Sequence, residues 1–265
     1  MSAERFIETA DCHGFQAYSL HDVLNGREDD AKRALITAGM EVSDGASGAA
    51  LGMGWLEAAA SHYNVSRDPK DYVIAPVSIL VSGMPNRNGV AFPLRELAAF
   101  DVEYKQMAYE TWTRSPVFYE HANEDHTKAL GVIFDTTMRH APEFAGDVLF
   151  RVNALCGVDR TRAPMLANRV LTGNLKTWSM GASVAQYQCS ICGHKPTKTS
   201  RRCEHMSLDN RQMRTFVGAS GRPPKLAHYT CAGIRGFETS MVEIPAWASA
   251  QNEPNQLMSL YSPAD

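Results

Sequence analysis

Residues 177–195 read TWSMGASVAQYQCSICGHK, and this run holds two patterns end to end. The first half carries aromatic and β-branched residues in a strand-like run and presents Ser179 close to Gly181. The second half is a Cys-x2-Cys knuckle formed by Cys189 and Cys192. Either a nucleophilic serine adjoins a structural metal site here, or an ordinary strand runs into a zinc ribbon. The fold turns on which, because a strand of 175–189 ending in a knuckle belongs to a sheet with a loop hung from its edge.

The knuckle has partners downstream. After the ten residues GHKPTKTSRR come Cys203 and His205. Cys189, Cys192, Cys203 and His205 are thus four thiol or imidazole ligands around a polar, turn-rich loop. Zinc takes four such ligands in a tetrahedron, and a two-residue gap lets both thiolates reach one ion from a tight turn. Binding would order a loop too poor in apolar residues to fold alone. The expected cofactor is a structural Zn2+ with no open position for water, with Cys231 as the reserve ligand. The competing reading is a metal-free loop of reduced thiols.

The bulk composition narrows the class. A chain of 265 residues, 44% hydrophobic and 21% charged, can bury a sizeable core. A net charge of −3 argues against a protein built to coat nucleic acid, although RRCEH (201–205) could touch a phosphate. Three of the six cysteines crowd into the knuckle region, which suits a reducing compartment more than a disulfide framework. MSAERFIETADCHG opens with acids and has no apolar core, so it does not read as a signal peptide. No run approaches about eighteen consecutive apolar residues, so no membrane span is expected.

Along the chain, residues 1–25 lack periodicity and read as an arm or loop. Residues 27–40 and 45–63 have helical spacing, and together with the arm they make a helical N-terminal extension over 1–70. GASGAALG, within the second helix, lacks the preceding strand and the Gly-Lys-Ser/Thr of a phosphate loop. DYVIAPVSILVSG (71–83) is a strand, and PNRNG (85–89) is turn chemistry. FPLRELAAF and VEYKQMAYETW read as two short helices. Strands are expected over 115–121, 129–140, 147–157, 175–189 and 236–247, with a helix over 161–174. Residues 251–265 form a polar tail. Strands and helices without a regular βαβ rhythm give an α+β fold with an antiparallel, barrel-like sheet core, surrounding helices and a zinc-knuckle loop at 189–205. Trp112, Trp178 and Trp247 read as core or barrel-wall aromatics, and Cys156 as a buried thiol.

A serine in a strand is unremarkable alone. A nucleophilic one needs a base and oxyanion donors. PVFYEHANEDHTKALGVIFD (116–135) supplies a candidate base in His121, at the end of a strand, with Asp125 and His126 reading as loop residues.

Four blocks in order then resemble the prohead (head maturation) proteases of tailed bacteriophages, relatives of the herpesvirus capsid assembly protease. They are DYVIAPVSILVSGMPNRNGVAFPLREL (71–97), PVFYEHANEDHTKALGVIFD (116–135), LTGNLKTWSMGASV (171–184) and GFETSMVEIPAWASA (236–250). Some members of that family are similar in carrying a CSICG…C-x-H insertion after the serine strand. The resemblance implies an assemblin-like protease domain over 71–250, with Ser179 as nucleophile and His121 as base. Backbone N–H groups near Met180 and Gly181 would serve the oxyanion. The acid that orients His121 is not matched cleanly by the family pattern; Asp159 is the choice, with Asp147 as the other candidate. Asp159 could equally cap the next helix.

The implied activity is a serine endopeptidase that cleaves scaffold and capsid proteins, and itself, through an acyl-enzyme during head assembly. The implied partners are scaffold, major capsid and portal proteins, with a homo-oligomer in view and neither membrane nor nucleic acid as a direct ligand. The implied location is the host cytoplasm, inside the viral procapsid or virion. Two rivals stay open: an inactive structural virion component of the same fold with a zinc-stabilised docking loop, and a zinc-ribbon nucleic-acid binder.

Overall fold

The computed structural model describes residues 6–14, 18–19, 54–86, 88–141, 149–197, 203–206, 215–216 and 225–243. Among the described residues thirteen strands run in chain order. They are β1 (Phe6–Gly14), β2 (Tyr18–Ser19), β3 (Tyr72–Val81), β4 (Val90–Ala91), β5 (Phe100–Asp101), β6 (Gln106–Met107) and β7 (Pro116–Tyr119). Then come β8 (Gly131–His140), β9 (Phe150–Asp159), β10 (Thr177–Cys189), β11 (Thr215–Phe216), β12 (Lys225–Leu226) and β13 (Tyr229–Met241). The main sheet has the order β1-β10-β13-β7-β8-β9-β3-β2, with β4 on β13. A further pairing of His13 and Gly14 with Ser78 and Val77 brings β1 back to β3, so the sheet curls onto itself. The pairings are antiparallel except those of β13 with β7 and β4, which are parallel.

Period-2 alternation explains the core. Val73, Ala75, Val77 and Ile79 of β3 point inward with Val152, Ala154, Cys156 and Val158 of β9 and Trp178, Met180, Ala182 and Val184 of β10. The intervening residues of β3, Tyr72 and Ile74, face outward and pack with Phe118, Val132 and Phe134 against Leu56, Ala59 and Ala60 of the helix Gly54–Tyr63. Pro76 lacks an N–H, yet sits in a strand with neighbours on both sides. It is tolerated because β2 pairs Val73 and Ile74 while β1 pairs Val77 and Ser78, leaving Pro76 between the two short ladders.

Several sequence expectations change here. Residues 6–14 are a strand of the main sheet and not an arm, because their neighbours β10 and β3 supply the pairing that local periodicity could not reveal. FPLRELAAF yields only the turn of helix Leu94–Leu97. VEYKQMAYETW becomes one strand of the ribbon β5–β6 followed by a 3-10 turn, Ala108–Trp112. The last strand starts earlier than expected, at Tyr229. The helix expected over 45–63 is described from Gly54. The helix over 27–40, Asp147, Trp247 and the tail lie outside the described residues.

Trp112 and Trp178 are buried as expected. The Trp112 indole N–H donates to the Gly181 carbonyl at 3.1 Å, and its ring lies flat on Gly236, where a Cβ would come within 2.0 Å of it. That contact fixes the 3-10 turn against β10 and β13, the two strands that carry the candidate site.

Candidate active site and metal cluster

β10 and β13 are long antiparallel neighbours, and their register puts Ser179 opposite Ser240 and Gly181 opposite Glu238. Residues directly opposite share a face of the sheet, as do residues two apart on one strand. Ser179, Gly181, Glu238 and Ser240 therefore sit on one face. The Ser240 hydroxyl donates to Glu238 Oε2 at 2.6 Å. On the other side of β13, β7 runs parallel with Phe118 beside Ser240 and Tyr119 beside Met241. His121 follows two residues after the end of β7, and its Nδ1 lies 3.5 Å from Glu238 Oε1.

The histidine is delivered by an unusual turn. Glu120 and His121 both have positive φ, 50° and 56°, a region L side chains seldom adopt. The turn is tied by Glu120 N–H donating to the Met241 carbonyl at 2.9 Å and by Asn123 N–H donating to the His121 carbonyl at 2.7 Å. Glu238 is fully buried, whereas His121 remains about a third exposed, at 36%. A carboxylate removed from water needs charge or hydrogen-bond partners; the Ser240 hydroxyl bonds one oxygen of Glu238, and the His121 ring approaches the other. An imidazole with Nδ1 turned to a carboxylate is the arrangement a general base requires.

Gly181 has a specific reason to be glycine. A Cβ there would stand 2.5 Å from Glu238 Oε1 and 2.7 Å from the Phe237 ring. The space it leaves is filled by the acid that faces His121. The N–H groups of Met180 and Gly181 do not form the expected oxyanion pair. β10 is flanked over this stretch by both β1 and β13, so its amides point along the sheet into those ladders and away from the face that carries Ser179.

Asp159 is not at His121. Its Oδ1 accepts from the Thr161 N–H and hydroxyl, each at 2.7 Å, and from the Arg162 N–H; its Oδ2 accepts from the Ser66 N–H at 2.6 Å. It is a fully buried capping residue for the turn leading into the helix Pro164–Leu171, and it pins the segment after the helix Gly54–Tyr63. Asp125 likewise caps the 3-10 turn His126–Lys128 through Thr127. Cys156 is a buried thiol whose titration burial pushes far up.

The second half of the opening stretch forms a cluster. One ligand atom each from Cys189, Cys192, Cys203 and His205 lie within 4.8 Å of one another. Thiolates about 2.3 Å from a tetrahedral zinc would stand about 3.8 Å apart, so the donor set and spacing fit that ion. The knuckle is shaped by Gly193 N–H donating to the Cys189 carbonyl and Cys189 N–H donating to the His194 carbonyl, both at 2.9 Å, with Gly193 at φ +71°. The His194 amide draws the Cys192 thiol down to about 7, while burial pushes Cys203 up to about 11. Cys231, buried on β13, is not part of the cluster.

No protein-family model matches this sequence, and no curated relative does. A solved structure similar to this chain is that of the bacteriophage T4 capsid assembly protease, gp21. It has 14% identity and a TM-score of 0.34, and the match covers 66% of this chain and 84% of that one. None of the described helices is long and apolar enough to cross a membrane.

Proposed function

We propose that this chain is a serine endopeptidase in which Ser179 is the nucleophile, His121 the base and Glu238 the acid that orients it. The observation that carries the reading is the 3.5 Å approach of His121 to a fully buried Glu238, on the sheet face that also bears Ser179. In the reaction, Ser179 Oγ attacks the scissile carbonyl while His121 takes its proton. The imidazolium then gives that proton to the leaving amine, and a water activated by the same ring releases the acyl group. Glu238 holds the ring with Nδ1–H inward and stabilises the imidazolium without becoming protonated. The ordered blocks that resemble prohead proteases support scaffold and capsid proteins as substrates, with portal protein as a neighbour, inside a procapsid. They leave a homo-oligomer as part of the same proposal. Cys189, Cys192, Cys203 and His205 would hold a structural Zn2+, closing the loop at the far end of the nucleophile's strand.

The test is co-expression of the chain with its phage's scaffold and major capsid proteins. Wild type should convert both to shorter products, and Ser179→Ala should leave them at full length. A fluorophosphonate should lose its fluoride and leave its phosphonyl group on the peptide containing Ser179 and on no other. Processing that continues unchanged in Ser179→Ala would overturn the reading. One observation favours the second reading, a catalytically silent virion component that docks through the metal loop: Ser179 is only 2% exposed. That reading expects no labelling and no processing in the wild type either.

A further inference from the structure

The left-handed turn that carries His121 is gripped from outside by a cluster to which the catalytic reading assigns no role. Tyr119, the last residue of β7, donates its hydroxyl to Glu243 Oε1 at 2.6 Å. Arg169, from the helix Pro164–Leu171, meets the same carboxylate with both guanidinium nitrogens, Nη2 at 2.7 Å from Oε2 and Nη1 on Oε1. Glu243 then donates its own backbone N–H to the side chain of Glu120. One residue, two positions beyond the end of β13, thus holds Tyr119 through its carboxylate and Glu120 through its amide. These are the two residues immediately before His121.

Two successive residues at positive φ are sterically unfavourable and persist only where their surroundings over-determine them. On the inner side the turn is tied by backbone bonds to β13 and within itself. On the outer side the tie is Glu243, and Glu243 is held to the helix by the Arg169 fork, whose planar bidentate geometry fixes direction as well as distance. We propose that Glu243 and Arg169 are positioning residues for His121: they lock the Glu120–His121 turn and so aim the imidazole at Glu238. The proposal rests on the reading of His121 as the base.

The test uses the full chain. Arg169→Ala and Glu243→Gln should lower kcat about tenfold to a hundredfold, the scale of a misplaced catalytic group, with KM within twofold. Arg169→Lys keeps the charge but loses the fork, and should recover only part of kcat. Independently of turnover, the ring nitrogen resonances of His121, followed in a Ser179→Ala background, should shift or broaden in Arg169→Ala and stay sharp in wild type. Should Arg169→Ala fold poorly, Tyr119→Phe removes one hydroxyl and should move the same resonances. His121 resonances that coincide with wild type in all variants would overturn the clamp, as would an unchanged kcat. If wild type cleaves nothing while the resonances still move, the clamp stands and the peptidase reading falls.

Discussion

Glu238 on β13 and His121 in the turn after β7 are far apart in sequence yet meet at 3.5 Å, because β7 and β13 run parallel and end side by side. On the proposed reading, Glu238 and Asp159 do different work. Glu238→Gln should keep the shape of the site but lose the charge that stabilises the imidazolium. It is expected to lower kcat by as much as about 10⁴-fold, the size of effect seen when a triad acid becomes an amide. Asp159→Asn should instead cost stability while leaving kcat of the folded protein within a few fold, since Asp159 caps a turn. Steady-state kinetics and thermal melts on both variants separate the roles. A severe kcat loss in Asp159→Asn with none in Glu238→Gln would reverse the assignment.

Gly181 offers a second check on the same geometry. A methyl group at this position would collide with Glu238 and with the Phe237 ring. Overpacking of this kind costs about 1–3 kcal/mol. Because the displaced group is the acid facing His121, Gly181→Ala should lose activity beyond its loss of stability. Gly236→Ala, which clashes with the Trp112 ring instead, should be at least as destabilising yet leave kcat of the remaining folded protein near wild type. Equal kcat in the two variants would show that Gly181 serves packing alone.

Glu243 gives a pH signature. Hydrogen bonds from Arg169 and Tyr119 hold its carboxyl down to about 2, against an ordinary 4.5. A depressed folded-state value means the contact's contribution is fully present above 4.5 and fades as pH falls toward 2. Carboxyl NMR should find the Glu243 midpoint well below 4.5 in wild type and shifted up toward it in Arg169→Ala, where the Tyr119 bond remains. A midpoint that does not respond to Arg169 would remove the ion pair as its cause.

The knuckle spacing made the cluster of Cys189, Cys192, Cys203 and His205 legible in the sequence, whereas Ser179 and His121 stand out only through the ordered blocks that resemble prohead proteases. Glu238 lies in GFETSMVEIPAWASA, where the strand pattern hides it. A glutamate in an alternating strand ordinarily faces water, and its burial follows only once Gly181 across the ladder opens room for it. Asp159 stands at the end of β9 beside Arg160, a position that suits a turn cap as well as a catalytic acid. The strand state of β1 depends on β10 and β3 and not on its own alternation, so local periodicity does not show it. What was illegible in each case is a partner brought from far along the chain.

The metal cluster makes the last prediction. β10 carries Ser179 near one end and Cys189 at the other, so the ion would anchor the strand's far end without touching the chemistry. Purified protein should contain about one zinc per chain by elemental analysis, and Cys192→Ser should lose it. Free zinc at a thousandfold over Kd stabilises the folded state by about 4 kcal/mol. At about 2–4 °C per kcal/mol for a domain of this size, chelation should lower Tm by roughly 10 °C. Below that lower Tm, kcat should fall no more than about twofold, since Cys189 is the last residue of β10 and Ser179 lies near its start. A chelator that abolishes turnover in protein that is still folded would mean the cluster shapes the active site directly. Protein that carries no zinc and melts identically with and without chelator would leave Cys189, Cys192 and Cys203 as reduced thiols, the competing reading of the knuckle.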